Sequence, residues 1–154
     1  MQKTGYRLVV SDFDGTLVKN DGTIDEKTKK IIAEYRKNGG AFAISTGRLP
    51  SGILERAKEL GLKGAVACGQ GSVIVDIESR EVLFKGEIPN KTAVEICKKL
   101  EEMDLHIHVY DIWDFYCNKD DVALKLYENT VGAKAKLVTA RPISEFLKEK
   151  GIGV

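Results

Sequence analysis

The sequence predicts an α/β protein: a doubly wound parallel sheet in the first half of the chain, followed by a smaller α+β module. Three observations predict it. Apolar runs of strand length alternate with amphipathic helical stripes between Tyr6 and Cys68. The connections between them are short, and right-handed β-α-β crossovers then place successive strands side by side in parallel. After Ser72 the order changes to a hairpin and then to α-β-β-α, a pattern foreign to a continued parallel sheet.

Tyr6-Arg7-Leu8-Val9-Val10 is a nearly continuous run of β-formers, as in a strand covered on both faces. Thr23 and Glu26 have the spacing of a capping box, and Thr28, Ile31, Ile32 and Tyr35 repeat behind them at i, i+3, i+4, i+7. Asn38-Gly39-Gly40 supplies the left-handed residue that ends such a helix. Ala41-Phe42-Ala43-Ile44 is the second strand. Pro50 suits a first helical turn, and Ile53, Leu54, Ala57 and Leu60 form a helical stripe closed by Gly61. Ala65-Val66-Ala67-Cys68 is the third strand.

Ser72 to Asp76 and Glu81 to Lys85 flank a polar turn and predict an antiparallel hairpin. Gly86 to Asn90, with Pro89, reads as a linker, giving domains 1–86 and 87–154. Beyond it comes a helix with Ala93, Ile96, Cys97 and Leu100 on one face. Two β-rich stretches follow, Leu105 to Tyr110 and Trp113 to Asn118. A helix starting near Asp120-Asp121 carries Val122, Ala123, Leu126 and Tyr127 as its stripe. Lys136-Leu137-Val138 is an edge strand, and Pro142 to Lys150 a short helix stopped by Gly151. The sequence has no internal repeat and no low-complexity tract.

Bulk properties narrow the function classes. The 154 residues are 43% hydrophobic and 31% charged, as in ordinary globular proteins. The net charge is +1, with basic and acidic side chains intermixed. Without a basic stripe, nucleic acid is not an expected partner. The longest apolar runs fall far short of the roughly 20 residues that span a bilayer, so no membrane partner is expected. Met1-Gln2-Lys3-Thr4-Gly5 has no apolar signal core behind it. Cys68, Cys97 and Cys117 are odd in number and free of any CxxC pair, and they read as reduced packing residues of a cytoplasmic protein.

The chemistry concentrates at two strand ends. Ligands of open α/β sheets bind outside the carboxyl ends of the strands, which is where Asp12 and Asp14 lie. Alternate residues of an extended segment share a side, so both carboxylates face one point while Phe13 turns inward. Gly15 permits a sharp turn. Two hard oxygen donors on a turn suit Mg²⁺. One carboxylate can attack phosphorus to form an acyl phosphate, and the other can protonate the leaving oxygen and later activate water. Ser45-Thr46-Gly47-Arg48, at the end of strand 2, combines a hydroxyl, a glycine amide and a helix N-terminus into an anion-binding corner, to which Arg48 adds a planar fork for a phosphate or another anionic group. The bland readings are a polar Asp-Gly turn and an ordinary capped connection. A Ca²⁺ loop is excluded, because its sixth position would be Leu17 rather than Gly and its twelfth Thr23 rather than Glu.

DxDGT[L] at Asp12 to Leu17 and [S]TGR at Ser45 to Arg48 resemble the haloacid dehalogenase (HAD) superfamily of phosphatases. Cys68-Gly69-Gln70-Gly71-Ser72 followed by a hairpin resembles the Cof-type, class IIB cap subgroup, in which an Asn-Gly pair usually stands at Gln70-Gly71. The resemblance implies a Rossmann-like core fragment with a partial α+β cap. It implies Asp12 as nucleophile, Asp14 as acid/base, and Thr46 as the hydroxyl that binds the transferred phosphoryl group. It also implies Mg²⁺ held by the Asp12 carboxylate and the Asp14 backbone carbonyl. The implied activity is hydrolysis of a small phosphorylated metabolite, such as a sugar phosphate, through an aspartyl phosphate. A phosphomutase using the same intermediate is the enzymatic alternative.

The family supplies a phosphate-binding lysine and a further acidic motif after its cap. No segment here matches them, Asp121 being the last aspartate. The sequence is therefore expected to be the N-terminal part of a longer enzyme, and a catalytically incomplete fragment or binding module is the non-enzymatic alternative. A parallel sheet without its later strands exposes an edge and apolar faces, so a homo-oligomer covering them is expected.

Other residues carry weaker signals. His106 and His108 share a strand face, which invites a metal reading, but the nearest third ligand in sequence is Asp111 and a structural role is simpler. Trp113, Phe115, Tyr116 and Tyr110 read more simply as core than as a substrate pocket. Glu95, Lys98, Lys99, Glu101 and Glu102 are the solvated face of their helix.

Overall fold

A computed structural model describes residues 5–154. Residues 1–4, within the segment read above as lacking a signal core, lie outside the described residues. The chain divides into two compact units, one running to Lys85 and one from Gly86 to Val154.

In the first unit, β1 (Leu8–Ser11) pairs in parallel with β2 (Ala41–Ile44), Leu8 opposite Ala41 and Ser11 opposite Ile44. Helix α1 (Glu26–Lys37) forms the crossover, and Ile32 is its buried residue. The expected capping box is not made. Thr23 instead donates its hydroxyl to Asp21 at 2.6 Å, and Asp25 occupies the N-cap without a side-chain bond. The Asp21-Gly22 turn captures the threonine two residues before it could cap, which is the usual competition between local side-chain turns and helix ends. Helix α2 (Pro50–Glu59) starts on proline and buries Ile53, Leu54 and Ala57. Truncating one such side chain to alanine costs about 2–5 kcal/mol.

Strand β3 (Ala65–Cys68) continues the parallel order through a bridge between Ser45 and Ala67. It then departs from the sequence reading. The hairpin of β4 (Val73–Asp76) and β5 (Val82–Lys85) does not stand apart, because β4 also pairs antiparallel with β3, Cys68 opposite Val73. The reversal is made by Gly69, Gln70 and Gly71 with φ of 54°, 58° and 89°. Three consecutive left-handed residues turn the chain back on itself, and the non-glycine Gln70 bears about 1–2 kcal/mol of strain there.

The second unit contains α3 (Asn90–Glu102), β6 (His108–Tyr110), β7 (Phe115–Cys117), α4 (Val122–Val131), β8 (Lys136–Leu137) and α5 (Ile143–Lys150). β6 and β7 are antiparallel, and β8 lies parallel on the other side of β7. Ala93, Cys97, Val109, Tyr116, Ile143 and Leu147 pack together as its core. Ile96, assigned above to the apolar face of α3, is instead exposed, and Val94 takes its place. In α4 the correction is larger: Val122 and Leu126 are 71% and 64% exposed, and Leu124 is the buried residue. The reason is the cap, since Asp121 accepts from the Leu124 N–H at 2.9 Å and sets the helix phase. Phe115 and Tyr116 are buried, as a core reading requires.

Asp111 organises the β6–β7 turn. It accepts from the N–H groups of Trp113 and Asp114 at 2.9 and 2.7 Å and from the Tyr116 hydroxyl at 2.9 Å, with the Lys150 ammonium at 3.4 Å. Burial acts to raise its carboxyl, but the backbone N–H groups, the hydroxyl and the ammonium together outweigh burial and hold it below the ordinary aspartate range. A depressed carboxyl stabilises the fold above the unfolded value of about 3.9 and loses that contribution as pH falls through the folded value. Asp111→Asn is therefore expected to cost about 1–2 kcal/mol at pH 7. Urea denaturation should show the gap between variant and parent shrinking below about pH 4; an equal gap at both pH values would refute the assignment.

Candidate active site

Asp12 is the first residue past the end of β1. Phe13 is 1% exposed, so the extended backbone turns Asp12 and Asp14 outward, and both are exposed. Gly15, at φ 72°, closes a tight loop: its N–H reaches the Val18 carbonyl at 2.9 Å, and the Leu17 and Val18 N–H groups return to the Phe13 carbonyl at 3.0 and 2.8 Å. Within this loop Thr16 donates its hydroxyl to Asp12 Oδ2 at 3.0 Å. One carboxylate oxygen is thereby fixed and the other is directed by it. Sequence reasoning placed Thr16 in the motif without giving it a task.

The Ser45–Arg48 turn is laced to both neighbouring strands. Ser45 N–H donates to the Ser11 carbonyl at 2.9 Å, and Thr46 N–H to the Ala67 carbonyl at 3.0 Å. In return Gly69 N–H donates to the Arg48 carbonyl at 3.0 Å and Gln70 N–H to the Thr46 carbonyl at 3.1 Å. Thr46 is 2% exposed, and its Oγ1 accepts from the Arg48 N–H at 3.2 Å. The role of Gly47 is steric as much as polar: a Cβ there would lie 2.6 Å from the Gln70 side-chain amide nitrogen. The left-handed Gln70 is thus part of the site's frame. The signal for it was the Gly69-Gln70-Gly71 run itself, where a left-handed turn is the natural reading.

Arg48 sets its planar fork on an anionic group of the chain itself. Its Nε and Nη2 hold Asp14 Oδ2 and Oδ1, each at 2.8 Å, in a bidentate pair. The guanidinium also lies 5.5 Å over the Phe13 ring. Its hydrogen bonds to Asp14 raise an already high guanidinium value, so the charge is permanent. This ion pair ties the first motif to the second. Cys68, at the end of β3, has its thiol pushed up to about 12 by burial and is not a competing nucleophile.

The donor set fits Mg²⁺. Asp12 offers a carboxylate oxygen and Asp14 a backbone carbonyl, both hard oxygen ligands, while the Asp14 carboxylate is taken up by Arg48. Among the described residues, one further group has a metal-ligating composition, His106, His108 and Cys117 in the second unit.

Comparison with known proteins bears on this geometry. A Haemophilus influenzae protein provisionally named a phosphatase is 32% identical over 129 residues, covering 82% of this chain and 48% of the relative. The HMP-PP phosphatase of Shigella flexneri is 25% identical over 118 residues, covering 77% and 43%. The chain spans about half the length of the curated relatives it matches. Among solved structures, a Thermotoga maritima protein superposes with a TM-score of 0.79 at 22% identity, over 95% of this chain and 54% of that one. The HAD subclass IIB sugar phosphatase BT4131 gives 0.75 at 19% identity, over 94% and 55%. These likenesses concern the fold. Among the described residues, no helix is long and apolar enough to cross a membrane. The family model for haloacid dehalogenase-like hydrolases matches residues 9–150, and the chain belongs to that family.

Proposed function

We propose that this chain carries the nucleophile half of a Mg²⁺-dependent phosphohydrolase that acts on a small phosphorylated metabolite through an aspartyl phosphate. The observation that carries the reading is Asp12 itself, an exposed carboxylate at a strand mouth with one oxygen anchored by Thr16. The names of relatives support it, one being an HMP-PP phosphatase and another a sugar phosphatase. The three free, buried cysteines fit a reducing compartment such as the cytoplasm.

In this reading Asp12 Oδ1 attacks phosphorus in line and the leaving oxygen departs opposite it. Thr46, whose Oγ1 already accepts from the Arg48 N–H, gives its own proton to a phosphoryl oxygen. Asp14 protonates the leaving alcohol and later takes a proton from the attacking water. Both Asp14 oxygens lie on Arg48, so one must leave the guanidinium before Asp14 can serve. Arg48 is then the group that aims Asp14. Mg²⁺, held by the Asp12 carboxylate and the Asp14 carbonyl, would supply charge neutralisation of the phosphoryl group.

Strand β1 supports a proposal of self-association. Among the described residues it pairs with β2 alone, and Leu8 and Val10 are 55% and 54% exposed. A second copy covering these residues removes an apolar edge from water.

Asp12→Asn is expected to reduce Mg²⁺-dependent hydrolysis of a generic phosphate ester by at least about 10³-fold. Acid-quenched parent protein should carry hydroxylamine-labile phosphate that this variant lacks. Turnover persisting in Asp12→Asn would overturn the nucleophile assignment. Arg48→Ala is expected to lower kcat by about 10²-fold with a smaller change in KM, because it misplaces the acid/base; a change confined to KM would make Arg48 a substrate ligand instead. Sedimentation should show a dimer or larger species that Val10→Glu converts to monomer, and a monomeric parent would remove the oligomer proposal.

A further inference from the structure

The second unit brings together a cluster of side chains that the phosphoryl-transfer site does not use. His108 opens β6 and stands opposite Cys117, which closes β7, so their side chains share one face of the pair. His106 lies two residues earlier and joins the same face. His106 Nε2 is 2.7 Å from His108 Nε2, and Cys117 Sγ is 3.3 Å from His106 Nε2. All the ligand atoms lie within 4.8 Å of one another. Cys117 is buried, whereas both histidines are half-buried, so the cluster has a floor and an open side. Asp111, the third ligand considered from the sequence, is occupied elsewhere with Tyr116 and Lys150.

The hydrogen bond to Asp121 orients His106. Asp121 Oδ2 lies 2.8 Å from His106 Nδ1, and a carboxylate only accepts, so that nitrogen carries the proton. The Tyr110 hydroxyl lies 2.8 Å from the Tyr127 hydroxyl and 3.3 Å from His108 Nδ1. His106 thus turns its Nε2 toward His108 Nε2 and Cys117 Sγ. The 2.7 Å contact between the two Nε2 atoms is a nitrogen–nitrogen hydrogen bond, and a metal ion bound by both would take the place of the shared proton.

We propose that His106 Nε2, His108 Nε2 and Cys117 Sγ form a binding site for Zn²⁺, with the fourth tetrahedral position left to water or an anion. Nitrogen and sulfur donors select Zn²⁺ over Mg²⁺, the reverse of the all-oxygen set at Asp12. Tetrahedral Zn²⁺ with bonds of about 2.0–2.3 Å separates its ligand atoms by about 3.3–3.6 Å. The His106–Cys117 edge already has this length, the two rings need to part by about 0.6 Å, and the His108–Cys117 edge lies within 4.8 Å. On binding, Cys117 gives its proton, now directed at the Lys119 carbonyl at 3.1 Å, to solvent and bonds as thiolate. Asp121 completes a carboxylate–histidine–metal relay and balances the remaining positive charge. Because Asp121 is also the N-cap of α4, the ion ties that helix to the β6–β7 pair.

Co²⁺ added to the metal-free chain is the test. It should bind once per chain with tetrahedral visible bands and a thiolate-to-cobalt charge-transfer band, and one equivalent of Zn²⁺ should remove both. Cys117→Ser should abolish the charge-transfer band, and His106→Ala and His108→Ala should lose stoichiometric binding. Asp121→Asn keeps an oxygen for the helix cap and should weaken Zn²⁺ affinity about 10–100-fold without changing the band shape. Asp12→Asn should change none of this, which separates the outcome from that of the phosphohydrolase reading. Absence of a charge-transfer band in the parent protein, or its persistence in Cys117→Ser, would overturn the site.

Discussion

Everything in the first unit depends on the hydrogen bonds that clamp the Ser45–Arg48 turn between the ends of β1 and β3. Four backbone bonds, from Ser45, Thr46, Gly69 and Gln70, leave this segment little freedom to move. Each contributes only about 0.5–1.5 kcal/mol net, but breaking one inside a packed turn leaves a backbone group unpaired at greater cost. The clamp fixes where Thr46 points and where Arg48 starts, and Arg48 then reaches back to Asp14. The Asp14 carboxylate is thus held by a side chain that leaves a turn bonded to two different strands. Positioning of this kind has to come from the scaffold, since an exposed aspartate on a loop would otherwise sample many orientations.

The strained turn at Gln70 belongs to the same device. A left-handed non-glycine residue persists only where its surroundings over-determine it. Here its N–H bonds Thr46, and its side chain occupies the space that Gly47 leaves by lacking a Cβ. Strain at one strand end and a missing side chain at the next are two halves of one close approach. The chain reversal they permit also turns β3 into the edge of an antiparallel meander, so one turn serves both fold and site.

The second unit is built around different physics. Its core is an apolar layer from α3, α5 and the inner faces of the strands, and its other strand face carries polar and aromatic groups in a connected network. Asp111 and Asp121 each hold both backbone N–H groups and side chains, so the loops are ordered by carboxylates rather than by apolar burial. Such networks stabilise only when every member is paired, and the facing imidazole nitrogens are paired with each other.

The sequence by itself determined the order of elements, the parallel pairing of the early strands and the placement of Asp12, Asp14 and Thr46 at strand ends. These follow from apolar periodicity, from glycine and proline, and from the local geometry of extended chains, all of which act over a few residues. The tertiary structure alone decided the partners. Arg48 is 34 residues from Asp14 and Cys117 is 11 from His106 in sequence, so no local pattern could pair them. It also decided helix phase where two apolar stripes competed: the Asp121 cap, not hydrophobic spacing, chose Leu124 over Leu126 for burial. Residue types announce which chemistry a chain can perform. Contacts across the fold fix which atoms are free to perform it, because hydrogen bonding saturates each group and only tertiary proximity determines what saturates it.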